Sequence, residues 1–244
     1  FKFLHWKDKH PRGTIIQVIG SVDNLNSFYE YQLHCKSLYA SIQIFNKNTM
    51  KALRKQSSDQ YIQTALKKYN LENRQDWNIY SIDPKGSKDL DDAFSIKILD
   101  PETKLISIYI SNVTIWLDLL DLWDSFSERI STIYLPDRKR PMLPTILSDA
   151  LCSLLEEHIR FSFALDIYVK NGKIERTQYV NCSVKVNKNH EYGKLENCLD
   201  YKTLFETVDQ MNKIEGQEYI VMLKDSHDII AYLMILMNCY SGKK

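Results

Sequence analysis

Apolar residues recur along this chain in two rhythms, and the points where one gives way to the other mark out short β units and helices. Residues 13–20 and 28–38 carry runs of Ile, Val, Tyr and Leu expected of strands, joined by a polar turn at 21–26. From residue 46 the chain becomes polar and basic. It then turns helical as far as Tyr69, with Asp59 as the expected cap and Ile62, Ala65, Leu66 and Tyr69 along one face. A hairpin is predicted for 93–99 and 105–113 around the turn Asp100-Pro101-Glu102-Thr103. Helix is expected over 118–130, a Pro-marked loop over 134–144, and strands over 161–169 and 173–186. Two helices follow at 204–214 and 228–240, the second with Ser226 as N-cap and apolar residues on nearly every side.

The change of pattern near residue 46 predicts a boundary between a small β unit and a helical connector. The 244 residues suffice for one large domain or two smaller ones, and 44% hydrophobic with 26% charged residues excludes a disordered chain. The apolar stretch 229–240 is shorter than the roughly 20 residues that cross a bilayer, and no charged-then-apolar leader stands at the start. The expectation is a soluble, cytoplasmic segment without membrane contact. Phe1 in place of Met, and an end that follows directly on an apolar helix, predict trimming at both termini. Cys35, Cys152, Cys182, Cys198 and Cys239 have no paired C-x-x-C spacing, so reduced and mostly buried thiols are expected. A net charge of +1 gives no global basic field, so any nucleic-acid contact has to come from local patches.

The segment with most chemical content reads Ile82-Asp83-Pro84-Lys85-Gly86-Ser87-Lys88-Asp89-Leu90-Asp91-Asp92-Ala93-Phe94. Pro84 and Gly86 break any helix and curl the segment into a loop carrying four aspartates. Two carboxylates about 5 Å apart repel by roughly 3 kcal/mol at an effective dielectric near 20, so a cluster calls for a positive partner. Hard oxygen ligands in a tight loop suit magnesium, which keeps positions open for water and substrate phosphate. A solvated acidic loop is the alternative that local spacing leaves open. The alternating ligands and terminal Glu of an EF-hand are absent.

At these residues the sequence resembles the ribonuclease II (RNB) family, whose signature is I-D-P, a Gly, then D-x-D-D-A leading into a hydrophobic strand. Further blocks stand in the family's order. Arg74-Gln75-Asp76-Trp77 lies upstream. Downstream are Arg129-Ile130-Ser131-Thr132-Ile133-Tyr134-Leu135-Pro136, Pro141-Met142-Leu143-Pro144, Leu151-Cys152-Ser153-Leu154 and Leu233-Met234-Ile235-Leu236-Met237-Asn238. The resemblance covers about residues 72–238. Trp6, Pro11-Arg12-Gly13 and Ile19-Gly20 are similar to the end of the cold-shock-like OB domain that precedes the family's catalytic domain. The resemblance implies an α+β fold: part of a β-barrel OB-fold over 1–45, a connector over 46–71, and the N-terminal part of an RNB catalytic domain, a mixed sheet surrounded by helices, over 72–244.

It further implies a magnesium-dependent 3′–5′ exoribonuclease that hydrolyses single-stranded RNA to nucleoside 5′-monophosphates. Asp83, Asp89, Asp91 and Asp92 would hold Mg2+ and carry catalysis, with Asp91 the least replaceable. Tyr134 would stack on the 3′-terminal base and Arg138 and Arg140 would meet phosphates. Taken without the resemblance, Tyr134 reads as a packed loop aromatic and the basic run as a solvated turn. Cys152 reads as a core residue rather than a nucleophile, and no histidine shows ligand spacing. The chain departs from the family pattern at Asn112, where an Asp is usual, and at Ile130, where a small residue is frequent. The family's later arginine-containing segment and second OB domain are also missing from these residues. The missing tail, Asn112 and the near-neutral charge favour a second reading, an RNB-fold protein used for RNA binding or as a structural component of a larger complex without turnover; a third is an acidic metal-binding module unrelated to nucleic acid.

Overall fold

The computed structural model describes residues 1–7, 9–126, 129–195, 198–215, 220 and 222–243, which fall into two compact units. The smaller comprises residues 1–44 and 126–142. In it β1 (Lys2–His5) pairs antiparallel with β2 (Arg12–Thr14). The strand expected over 13–20 is corrected: ladder pairing stops at Thr14, and the residues beyond it are mostly exposed.

The strand expected over 28–38 is also corrected, because most of it lies in helix α1 (Leu25–Cys35). Asn24 decides this locally, its side-chain oxygen accepting from the amides of Asn26 at 2.9 Å and Ser27 at 3.2 Å. The spacing Leu25, Phe28, Tyr29, Leu33 then reads as a helical stripe, although only Leu33 is buried. Within the expected loop, Ile133–Tyr134 pairs with Lys139–Arg140 as a short ribbon. The buried Arg129 braces it, donating to the carbonyl of Ala40 through Nε and Nη2 (3.0 and 2.6 Å) and to that of Pro141 through Nη1 (2.7 Å).

The larger unit comprises residues 45–125 and 143–244. Its connector is two helices rather than one, α2 (Gln43–Leu53), which begins just ahead of the unit, and α3 (Ser58–Lys68). Ser57, not Asp59, caps α3, in a reciprocal box in which the Ser57 hydroxyl accepts from Gln60 N and the Gln60 side chain from Ser57 N. A hydroxyl at that position reaches the third amide of the helix, whereas Asp59 already sits inside the first turn.

Seven strands form one mixed sheet: β3 (Glu72–Arg74), β4 (Tyr80–Asp83), β5 (Asp92–Ile98), β6 (Thr103–Ser111), β7 (Ile159–Lys170), β8 (Lys173–Lys185) and β9 (Lys188–Glu191). Their order across the sheet is β9-β4-β5-β6-β7-β8-β3, with both outer pairs parallel and the rest antiparallel. The β5–β6 and β7–β8 hairpins match the sequence expectation. Asp100 shapes the first turn by accepting from the amides of Glu102 and Thr103 at 2.9 and 2.8 Å.

Helix α4 (Val113–Leu119) starts earlier than expected and ends earlier, burying Ile115, Trp116 and Leu117. Residues 127–128 of the expected 118–130 helix lie outside the described residues. The two last helices are α5 (Leu199–Glu215) and α6 (Ser226–Gly242). Asp225 rather than Ser226 caps α6, because its carboxylate accepts from His227 N at 2.8 Å and Asp228 N at 3.3 Å. No described helix is long and apolar enough to cross a membrane.

Period-two alternation sorts the strand residues between two apolar layers. Phe94, Ile96, Ile106, Ile108, Leu165 and Ile167 pack in one cluster with Leu204, Val208, Met211, Ile229, Leu233 and Leu236 from α5 and α6. Ala93, Tyr109, Ala164, Cys182 and Val184 join Ile79, Leu90 and Leu154 in another. Each fully buried Ile or Leu contributes about 1.5–3 kcal/mol, so burial on both faces anchors the central strands firmly. The expected mixed sheet with surrounding helices is thus present, and it fixes the ends of β4 and β5, between which the acidic loop is strung.

Candidate active site

The acidic loop is held at both ends by the sheet. Asp83 closes β4 and Asp92 opens β5, so these two carboxylates ride on strands while Asp89 and Asp91 lie on the loop between them. Pro84 brings no amide to a ladder, and Gly86 takes φ +81°, a left-handed conformation that favours glycine. Ser87 N returns to Pro84 O at 3.1 Å and closes the turn.

The sheet also determines what surrounds the carboxylates. Asp83 is half-buried, and its Oδ2 accepts from the Ser81 hydroxyl at 2.6 Å. Burial, then the charge of Asp89, lifts the Asp83 carboxyl above the usual carboxylate range despite that hydrogen bond. Asp92 is pushed further, up to about 7, by burial first and then by the charges of Asp83 and Asp91. Asp91 is exposed, while its carbonyl accepts from Ser111 N at 2.8 Å and so locks the backbone beside it onto β6. The sequence-predicted carboxylates therefore form one electrostatically coupled group of graded burial.

Strand β9 brings a residue that sequence reasoning missed. It runs parallel to β4 with Glu191 opposite Asp83, and Tyr192 N donates to the Asp83 carbonyl at 3.1 Å. The Tyr192 hydroxyl is raised by burial first and then by the charges of Asp92, Asp83 and Asp225. The ring stacks on His227, centroids 3.8 Å apart and planes 9° from parallel. A lone Tyr in a polar stretch carries no signal in sequence, because only the parallel β9–β4 pairing brings it to the aspartates.

Tyr134, Arg138 and Arg140 belong to the smaller unit. Tyr134 is 73% exposed and so is not the packed loop aromatic that the residues alone suggest. Arg138 bonds Asn26, and Arg140 pairs with Glu30. Cys152 is a buried thiol pushed up to about 12, by burial first and then by the Asp91 charge, in keeping with a core residue. The described cysteines are all free.

The four aspartate side chains of the loop offer hard carboxylate oxygens, a chemistry that suits a divalent cation, and the mutual repulsion that raises Asp92 is what such a cation would relieve. Among the described residues no three His, Cys, Asp or Glu side chains converge as a ready metal cage.

The profile of the RNB domain matches residues 70–233, which spans the acidic loop, the whole seven-stranded sheet, α5 and about the first half of α6. The chain belongs to the RNB family. Ribonuclease R of Ureaplasma parvum is 33% identical over 159 residues, covering 64% of this chain and 21% of that protein. Exoribonuclease 2 of Vibrio vulnificus is 35% identical over 123 residues, 49% of this chain and 18% of the relative. The chain thus spans about a fifth of the length of these curated relatives. Among solved structures, Mycoplasma genitalium RNase R in complex with double-stranded RNA matches with a TM-score of 0.58 at 22% identity, over 89% of this chain and 35% of that one. An active-site mutant of the Dss1 exoribonuclease from Candida glabrata matches with a TM-score of 0.54 at 18% identity, over 71% of this chain and 29% of that one. At these identities the two structures speak for the RNB fold alone.

Proposed function

We propose that this RNB chain carries the acidic half of the active site of a magnesium-dependent 3′–5′ exoribonuclease that hydrolyses single-stranded RNA and releases nucleoside 5′-monophosphates. The observation that carries the reading is the set of four aspartates strung between the end of β4 and the start of β5, inside the stretch that the RNB profile matches. Ribonuclease R and exoribonuclease 2 are the names of its relatives, and the same activity is assigned here to this chain.

In the proposed reaction a water oxygen adds to the scissile phosphorus and the bond from phosphorus to the 3′ oxygen of the preceding nucleotide breaks. Bound Mg2+ supplies activation of that water and stabilisation of the leaving oxygen. Asp83 and Asp92, carried on strands, and Asp89 and Asp91, on the loop between them, would hold the cation. The Tyr192 ring, stacked on His227, offers a rigid apolar wall beside the carboxylates. Tyr134 presents an exposed face for a terminal base of any identity. Arg138 and Arg140 would meet phosphates on exchanging Asn26 and Glu30 for RNA.

The second reading, RNA binding without turnover as part of a larger assembly, draws on Asn112. Its amide bonds Asn181 at 3.1 Å where the family pattern has a carboxylate. Incubation of 5′- and 3′-labelled single-stranded RNA with Mg2+ separates the two. Stepwise loss of mononucleotides from the 3′ end, abolished by Asp91→Asn, supports hydrolysis. Retained RNA without shortening supports the binding role.

A further inference from the structure

The Leu151-Cys152-Ser153-Leu154 block takes no part in the function proposed above, yet its atoms hold the acidic loop at several points. The fully buried Ser153 hydroxyl donates to the carbonyl of Lys88 at 2.7 Å and accepts from the amide of Leu90 at 3.0 Å. Those groups flank Asp89 on either side, so one oxygen spans the residue and fixes the direction in which its side chain leaves the backbone. Leu154 N adds a bond to Leu90 O at 2.8 Å.

The same block reaches the other aspartates. The carbonyl of Cys152 accepts from the Ser111 hydroxyl at 2.6 Å, and Ser111 N is bonded to Asp91 O at 2.8 Å. The carbonyl of Leu154 accepts from Asn189 Nδ2 at 3.0 Å, and the same nitrogen donates at 3.0 Å to the Ser81 hydroxyl that serves Asp83. Behind the block, the buried Arg160 clamps its backbone, Nε donating to Ser153 O at 2.8 Å and Nη2 to Ala150 O at 2.9 Å.

We infer that Ser153 is a positioning residue for the cation site: its hydroxyl sets the loop backbone on both sides of Asp89 and thereby the aim of the carboxylates. Ser153 touches neither RNA nor cation and acts through the loop. Loss of an outer-shell residue that orients metal ligands typically costs 10–100-fold in metal affinity, about the scale expected here. A structural serine in a core would affect only stability. A hydroxyl that both donates to and accepts from the loop couples folding of the loop to its affinity for a cation. Its bearing on catalysis rests on the cation reading of the aspartates.

The test compares parent, Ser153→Ala, Ser153→Cys and Asp91→Asn by calorimetric titration with Mn2+ and by hydrogen exchange at the Leu90 amide. Ser153→Cys keeps nearly the parent volume while weakening both hydrogen bonds, so it separates loss of the hydroxyl from loss of packing. Both Ser153 variants are expected to keep a folded circular dichroism spectrum, to expose the Leu90 amide, and to bind Mn2+ about 10–100-fold more weakly. Cleavage at limiting Mg2+ falls in step and recovers at high Mg2+ with KM for RNA unchanged. Parent-like Mn2+ affinity in both variants overturns the inference while leaving the proposed function standing. Loss of the folded spectrum in both variants also overturns it, because the serine is then structural. A parent chain that binds no divalent cation removes the proposed function and this inference together.

Discussion

The guanidinium of Arg74 meets the carboxylate of Asp166 through two parallel bonds of 2.7 and 2.6 Å, with both side chains buried inside the sheet unit. Arg74 stands on β3 at one edge of the sheet and Asp166 on β7, and the pair is completed by the Ser107 hydroxyl, 2.6 Å from Asp166 Oδ1, and by Glu72, 2.8 Å from Arg74 Nε. Strand register explains the meeting. Ser95, Ser107 and Asp166 are paired across β5, β6 and β7, forming a polar row on one face that a single edge arginine neutralises. Trp77 roofs the guanidinium at 4.2 Å from its ring centroid. Removing one partner leaves a buried charge, so Asp166→Asn is expected to destabilise the chain by about 3–5 kcal/mol. Thermal unfolding of the variant checks this, and a melting temperature within a degree or two of the parent would show that the pair is dispensable.

Asp92 predicts a pH signature of the metal-free protein. Its folded-state carboxyl titrates at about 7 against the ordinary 3.8. Between those values the folded chain keeps a proton that the unfolded chain has released, so stability contributed by this group falls as pH rises through that window and stays low above it. The shift corresponds to about 4 kcal/mol by linkage, and discounting for water reaching a partly exposed group leaves roughly 2 kcal/mol. Asp92→Asn should therefore raise the melting temperature of the metal-free chain near pH 8 and leave it unchanged near pH 4. Equal effects at both pH values would contradict the assignment of the shift.

Gly86 is required by backbone rather than by contact, since a Cβ there would meet nothing within 4 Å while φ stands at +81°. Gly86→Ala is expected to destabilise the folded loop by about 1 kcal/mol. The loss should appear as weaker divalent-cation binding with far-UV circular dichroism intact, because the sheet ends at Asp83 and restarts at Asp92 without Gly86. Unchanged cation affinity would mean that the turn does not aim the carboxylates.

Thiol chemistry should follow burial. Cys152 and Cys182 are both buried and both pushed up to about 12, chiefly by burial, whereas Cys35 and Cys239 are exposed. Iodoacetamide near pH 8 should label Cys35 and Cys239 in the folded chain and spare Cys152 and Cys182 until denaturant is added. Peptide mass mapping reads the outcome. Rapid labelling of Cys152 in the folded chain would contradict its place in the core behind Asp91.

The sheet was legible in the sequence where local signals and tertiary packing agree. The β5–β6 and β7–β8 hairpins follow from turn chemistry between apolar runs, and the loop at Pro84 and Gly86 from two residues with restricted backbone behaviour. The four aspartates could be grouped because the sequence itself places them together. Where the reading failed, a polar cap or a distant partner decided the matter. Asn24 turned a Tyr- and Leu-rich stretch into α1, Ser57 split the connector into two helices, and Asp225 took the cap expected of Ser226. Tyr192 reaches the aspartates only through the parallel β9–β4 pairing, and Ser153 reaches the loop across 63 residues of chain. Local periodicity holds no information at such separations.

The central claim is that Asp83, Asp89, Asp91 and Asp92 together bind a hard divalent cation that keeps water in its coordination shell. Water-proton relaxation during titration with Mn2+ measures this directly. The account predicts strong relaxation enhancement for the parent, reversal of it by excess Mg2+, and its loss in Asp91→Asn and Asp92→Asn. An enhancement that survives both substitutions, or none in the parent, would contradict it.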